Sequence, residues 1–276
     1  MSSGSEYRPS KDDALPARVS GAWAREKLAY LARYMTIFNV GMKNKWERVY
    51  VDLMAGPGRC VEDDTGDEFE GSPLIAVNQK VPFSEIVLIE GQATLAAAVR
   101  QRVQANALVL EADCNDAAVT KQLRDRLGYG RLGLAFADNL GLDVALATLR
   151  TLTEDRKVDL CITFQVGDLK RNLRRALVGD DETRWTAFFG EGWRRIAEDA
   201  TGRNLSAEDT ANNLLDFYGK QLWEIGYKHV RHSRRVMKNS RNVGLYRLLL
   251  AGKHERAAQF FDEISRIEPS GQRGLY

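Results

Sequence analysis

Apolar positions along the chain follow two rhythms. Trp23, Leu28, Leu31, Met35 and Phe38 recur at helical spacing, with Arg25, Lys27 and Arg33 placed to lay their stems around that face. This predicts a leading amphipathic helix from Ala22. Five short, near-continuously apolar runs then occupy residues 48–53, 86–90, 107–111, 132–138 and 158–163. Such runs suit strands covered on both faces, hence a parallel sheet of right-handed βαβ units. Helix-period segments at 92–104, 115–126 and 142–149 lie between them as crossovers. The pattern predicts a doubly wound, mostly parallel α/β sheet.

After the fifth run the rhythm changes. Residues 165–225 carry only helical periods, one through Trp185, Phe188, Phe189, Trp193 and Ile196 and another through Leu214, Tyr218, Leu222 and Ile225. Ser206 with Asp209 three positions on reads as a capping-box start for the second of these helices. Residues 227–237 and 244–251 read as two strands joined by a Lys-Asn-Ser-Arg-Asn turn, and a last helix spans 253–267. The domain plan is therefore a flexible N-terminal arm over 1–20, a core over 21–164, a helical insertion over 165–225 offering an acceptor or partner site, and a hairpin and helix over 226–276. Five parallel strands, an insertion and a closing antiparallel hairpin depart from a nicotinamide-binding Rossmann domain. The order resembles the class I methyltransferase fold, a Rossmann-like sheet that such a hairpin finishes.

Composition narrows the class without naming a chemistry. The 276 residues are 44% hydrophobic and 28% charged, with 40 basic against 38 acidic side chains, so a sizeable core needs neither metal nor disulfide staple. Cys60, Cys114 and Cys161 are sparse and unpaired in pattern, which points to a reducing cytoplasm. Three histidines lacking ligand spacing argue against a metal, His229 and His232 falling on opposite faces of a strand. No apolar run approaches the roughly 18 residues of a membrane span, and the polar start MSSGSEYRPSKDD has no signal-like apolar stretch.

The strongest local signal is Asp52-Leu53-Met54-Ala55-Gly56-Pro57-Gly58, a strand ending in a carboxylate and running into a glycine turn. Glycines there let a ligand approach the backbone, and the carboxyl end of the first strand is where doubly wound sheets bind nucleotides. Val61 stands where a third glycine would complete GxGxxG, and Pro57 removes a backbone donor that a pyrophosphate would use. The expected ligand is accordingly S-adenosylmethionine rather than a dinucleotide. Glu90, ending the second strand, can accept ribose hydroxyls, and Asp113, beyond the third, can meet the adenine amino group, with Cys114 beside it. Between Asp52 and Glu90 an insertion holds six acids from Glu62 to Glu70 and ends in Gly71-Ser72-Pro73. It reads as a solvated loop leading to a helix capped by Ser72.

These residues, together with Lys27-Leu28-Ala29-Tyr30-Leu31 and Tyr34, Gly71-Ser72-Pro73-Leu74-Ile75-Ala76, Ile89-Glu90, Asp113-Cys114-Asn115 and Leu245-Tyr246-Arg247-Leu248-Leu249-Leu250, resemble the three-Cys-motif partner proteins. The resemblance covers residues 25–267, and its most specific elements are the AGPG loop and the GSPL helix start together. It implies a methyltransferase fold, S-adenosylmethionine as cofactor, and association with a protein bearing three cysteines.

One departure bears on activity. Where the family usually has Asp-Pro-Phe-Gly, this chain has Asp138-Asn139-Leu140-Gly141. Base-flipping amino-methyltransferases use a stiff turn and a stacking aromatic there, and Leu140 cannot stack. Asp138, with Asn139, remains the catalytic candidate for orienting or deprotonating an acceptor, against a plain helix cap. Basic residues cluster late, at Arg231, Arg234, Arg235, Lys238 and Arg241, and again at Arg171, Arg174 and Arg175. With the aromatics of the insertion exposed beside it, the late run could follow a phosphate backbone, making nucleic acid a candidate partner and acceptor, or it could protect an edge strand. Two enzyme readings and one binding reading result: a methyltransferase, an oxidoreductase opposed by the missing third glycine, or a methyltransferase-like subunit without turnover.

Overall fold

A computed structural model of the chain describes residues 7–233, 236–238 and 243–265. The first part runs β1 (Tyr7–Pro9), β2 (Pro16–Ser20), α1 (Ala22–Met42), β3 (Glu47–Asp52), β4 (Arg59–Glu62), β5 (Glu68–Glu70) and α2 (Ser72–Val77). The alternating core continues through β6 (Glu85–Glu90), α3 (Ala93–Val103), β7 (Leu108–Glu111), α4 (Ala117–Leu127), β8 (Arg131–Ala137), α5 (Leu146–Thr153) and β9 (Lys157–Phe164). Then come α6 (Val166–Leu177), α7 (Glu182–Phe189), α8 (Trp193–Gly202) and α9 (Ala207–Glu224), followed by β10 (His229–His232), β11 (Met237–Lys238), β12 (Gly244–Gly252) and α10 (Glu255–Ser265).

The main sheet has the order β10-β12-β9-β8-β3-β6-β7, with β11 also pairing β12. Strands β9, β8, β3, β6 and β7 are mutually parallel, whereas β12 runs antiparallel to β9 with Leu250 opposite Cys161. From β3 the chain steps one way to β6 and β7, then crosses back to β8 and β9. That crossing puts the topological switch point between β3 and β8, where doubly wound sheets leave a crevice at the strands' carboxyl ends.

Both faces of the sheet are covered, which is why the strand sequences are apolar without alternation. Val49, Val51, Val87, Ile89, Ala135 and Ile162 pack with α4, α5 and the insertion. Tyr50, Leu88, Leu134, Phe136, Cys161 and Leu250 pack with α1, α2, α3 and α10. Phe136 is fully buried, so truncating it to alanine would cost about 3–5 kcal/mol.

Three expectations are corrected. The N-terminal arm is ordered from Tyr7, and the acidic insertion is not a solvated loop: together they form a second sheet, β1-β2-β4-β5. Its acids bind the arm and α1, Glu68 accepting from Lys11 N at 2.6 Å and Ser10 Oγ at 2.7 Å, and Glu62 from Arg25 Nε at 2.7 Å. Most aromatics of the insertion are core, only Trp223 being exposed, at 54%. Trp185, Phe188, Phe189 and Trp193 are buried, and Phe188 stacks on Tyr218 with centroids 4.6 Å apart. Ser206 does cap α9, its Oγ accepting from Asp209 N at 3.1 Å.

Candidate functional site

The site grows from the turn that follows β3. Gly56 and Gly58 adopt φ of +64° and +86°, the left-handed region that side chains disfavour. Gly71 N–H donates to Gly58 O at 2.8 Å, and a Cβ on Gly71 would stand 3.0 Å from that oxygen. The pair fastens the turn to the start of α2. Glu90 holds it from the other side, its Oε2 accepting from Gly56 N at 2.9 Å and its Oε1 from Gln92 N at 2.8 Å.

Asp52 lies beneath the turn, fully buried. Tyr50 Oη donates to its Oδ2 at 2.9 Å and Met54 N to its Oδ1 at 3.3 Å. Burial pushes its carboxyl up to about 7, against the pull of hydrogen bonds from Ser72, Tyr50 and Met54. Through Met54 N it braces the start of the turn.

A cavity of about 420 Å³ opens above the turn. Its walls come from Arg18, Trp23, Lys27, Ala55 to Cys60, Ser72, Asp138, Leu140, Gln165 and Tyr246. Lys27, on α1, reaches across to Asp138 at the end of β8, with Nζ 2.7 Å from Oδ1 and 2.5 Å from Oδ2. Thr163 Oγ1 donates to the same Oδ1 at 2.9 Å. Burial alone would raise the Asp138 carboxyl; the charges of Lys27 and Arg18, with the hydrogen bonds from Lys27 and Thr163, outweigh it and hold the group below its usual range. It stays a carboxylate, and the cap reading gives way to a buried ion pair.

Of the residues expected at the site, Ala55, Gly56, Pro57, Gly58, Ser72 and Asp138 line this cavity, while Asp52, Glu90, Asp113, Cys114 and Asn139 do not. Ser72 is not the cap of α2, a place taken by Gly71. Asp113 is exposed beyond β7, accepting from Asn115 N at 2.8 Å, and burial pushes the neighbouring Cys114 thiol up to about 12. Asn139, expected to be catalytic, is wholly buried: its Oδ1 accepts from Val144 N at 3.0 Å, its Nδ2 donates to Thr163 O at 3.4 Å, and its carbonyl accepts from Gln165 Nε2. It shapes the loop. From residues 165–225 only Gln165 lines this cavity, whose other walls come from β2, α1, the glycine turn, the end of β8 and β12.

Sequence reasoning missed several wall residues. Lys27 and Tyr246 lie within motifs that carried the family resemblance, but their roles depend on a contact between the chain's two ends: Tyr246 Oη donates to Trp23 O at 2.6 Å, and Lys27 Nζ stands 5.6 Å from the Tyr246 ring centroid. Arg102, on α3, secures the arm over the turn. Its guanidinium donates to Pro57 O at 2.6 Å, Pro16 O at 2.7 Å and both oxygens of Asp13 at 2.8 Å.

In the late basic run, Arg234, Arg235 and Arg241 lie outside the described residues. Arg231 sits on the edge strand β10, 3.7 Å from Asp262, and Lys238 is exposed on β11. No helix among the described residues is long and apolar enough to cross a membrane. The three cysteines are buried and free.

Fold and site together define a doubly wound α/β protein with a ligand-sized cavity at its switch point. No protein-family model matches the chain, and no curated protein matches it. The resemblance to three-Cys-motif partner proteins thus stands on its motifs alone. Among solved structures, protein LPL1258 of Legionella pneumophila is 12% identical, with 91% of this chain and 94% of that one covered, at a TM-score of 0.54. This shows a shared fold. M. jannaschii TYW2 in complex with AdoMet is 12% identical over 91% of this chain and 87% of that one, at 0.41. The O-methyltransferase from Bacillus cereus in complex with SAH is 9% identical over 82% and 80%, at 0.42. At those scores the last two likenesses carry no inference.

Proposed function

We propose that the chain is an S-adenosylmethionine-dependent methyltransferase of class I type, with the β10–β12 hairpin completing its sheet. One observation carries this reading: a glycine turn and the Lys27–Asp138 pair meet around one cavity at the switch point of the sheet. The residues fit the cofactor. The turn faces open space at Gly56, and the cavity lies within the size range of small-molecule sites. Glu90, outside the cavity lining, fixes the turn by accepting from Gly56 N and Gln92 N. Gly56 N–H is turned to Glu90 and Pro57 has none, so the turn offers little to a pyrophosphate. That disfavours the oxidoreductase reading.

When bound, S-adenosylmethionine supplies an electrophilic methyl carbon. The chain supplies position. Asp138, held ionised by Lys27, orients an acceptor rather than removing its proton, and Trp23, Leu140 and Tyr246 give the cavity apolar surface. Nucleic acid is the acceptor class we favour, supported by the basic hairpin.

A second reading is a methyltransferase-like subunit that acts with a three-Cys-motif protein and has no turnover. It is favoured by the occupied state of the acceptor groups: Lys27 and Thr163 engage Asp138, and Gln165 engages the Asn139 carbonyl. Calorimetry with S-adenosylhomocysteine, followed by transfer of labelled methyl groups to cell-extracted RNA, DNA and protein, tests both. Micromolar binding with transfer supports the enzyme, and binding without transfer, partner present, supports the subunit. No heat with S-adenosylhomocysteine alongside tight NADH binding overturns both.

A further inference from the structure

A second cavity lies at the other end of the sheet. The parallel strands β8 and β9 begin there and the antiparallel β12 ends there, so Leu132, Val158 and Lys253 share one edge. The cavity is about 440 Å³, within the range of small-molecule sites. Phe38, Met42, Trp46, Leu132, Val158 and Phe260 make it largely apolar.

Its charge is one-sided. Lys45, Lys157, Lys253 and Arg256 line it, and none of the four forms an ion pair among the described residues. Lys157 lies 4.2 Å from the Trp46 ring centroid, while Lys253 donates to Thr153 O. Lys45 and Arg256 are exposed. Asp159 is the one acid in the lining; Tyr34 Oη donates to its Oδ2 at 2.9 Å, and its Oδ1 has no hydrogen-bond partner among the described residues. An apolar chamber with cations at its border and a single hydrogen-bonding carboxyl selects a ligand with an apolar body and an anionic head.

We infer that this cavity is a second ligand site, for a compact amphipathic anion whose body lies among Phe38, Trp46 and Phe260 and whose sulfonate, carboxylate or phosphate faces Lys45 and Arg256. Burial pushes Asp159 up to about 7, so near neutrality it repels such an anion less than an exposed aspartate would. The site is remote from the glycine turn and does not depend on methyl transfer.

Titrating the full chain with 8-anilinonaphthalene-1-sulfonate, an aromatic anion that fluoresces in apolar surroundings, tests the inference. The expected result is one saturable site per chain. The exposed double reversal Lys45→Glu/Arg256→Glu should weaken it roughly tenfold, as expected for two reversed border charges. The uncharged N-phenyl-1-naphthylamine should bind the wild type and the double variant alike, and Leu132→Trp, which fills the chamber, should remove both dyes. A dye signal that never saturates, or a sulfonate affinity unchanged by the double reversal, overturns the inference. If Leu132→Trp fails to fold, the comparison of charged and uncharged dyes in the double variant decides.

Discussion

Lys27 and Asp138 stand 111 positions apart in the chain and form a two-toothed contact, Nζ lying 2.7 Å and 2.5 Å from the carboxylate oxygens in the cavity wall. Both side chains are only 10% exposed. An ion pair so enclosed is poor evidence of added stability, because desolvation offsets most of the attraction; removing one partner is what costs.

Lys27→Met should therefore destabilise the protein by about 3–5 kcal/mol, and Lys27→Met/Asp138→Asn should regain most of that loss. Because the folded carboxyl sits below its ordinary 3.8, its stabilisation is present above that pH and is lost as pH falls through the folded value. Urea melts of the four members of the cycle at pH 7 and pH 3 check both points. Equal losses in the single and double variants would show that Lys27 matters through packing alone. Asp138→Asn by itself should keep S-adenosylhomocysteine affinity while losing transfer.

Arg102 is 4% exposed and touches the arm and the turn at once. Arg102→Met should cost about 2 kcal/mol or more, as expected for buried charge-assisted hydrogen bonds. Residues 7–20 should then become cleavable by trypsin under native conditions. An arm that stays protected would mean that strand pairing with β4 suffices to hold it.

Asp159 gives a pH signature of opposite sign. Its folded carboxyl titrates near 7 and the unfolded one near 3.8, so the folded state binds more protons between these values and stability falls as pH rises through them. Asp159→Asn keeps an acceptor for Tyr34 and cannot ionise. Its melting temperature relative to wild type should rise by a few degrees between pH 4.5 and 8. A difference constant across that range would show that Asp159 is ionised in the folded protein.

If Arg231, Arg234, Arg235 and Lys238 meet phosphates, affinity for RNA or DNA should fall linearly in log salt. Replacing all four with glutamine should flatten the slope by about one unit per lost contact. An unchanged slope leaves these residues as guards of the β10 edge, where charge deters pairing with another sheet.

The sheet was legible in the sequence because each strand is short, apolar throughout and bounded by turn residues, a local signal. The runs at 48–53 and 158–163 match β3 and β9 to within one residue at each end. The N-terminal strands were not, since Tyr7–Pro9 pairs with Pro16–Ser20, and that strand joins a larger sheet only by pairing with residues some forty positions later, through Arg18 opposite Cys60. The glycine turn could be read from its own residues. The partner of Asp138 could not, because no local pattern joins a helix-borne lysine to a carboxylate on a distant strand. The insertion misled for a related reason: helical spacing shows that Trp185 and Phe189 share a face, but not which layer covers that face.

The bond from Tyr246 Oη to Trp23 O spans 223 positions. During synthesis the glycine turn, Lys27 and Asp138 leave the ribosome long before Tyr246 does, so a nascent chain of 240 residues carries every charged group of the cavity and lacks one wall. Any ligand that needs the closed chamber can protect the protein only after its last strand has been made. Chains truncated before β12 should be synthesised, fold in part, and show no ligand-dependent resistance to protease.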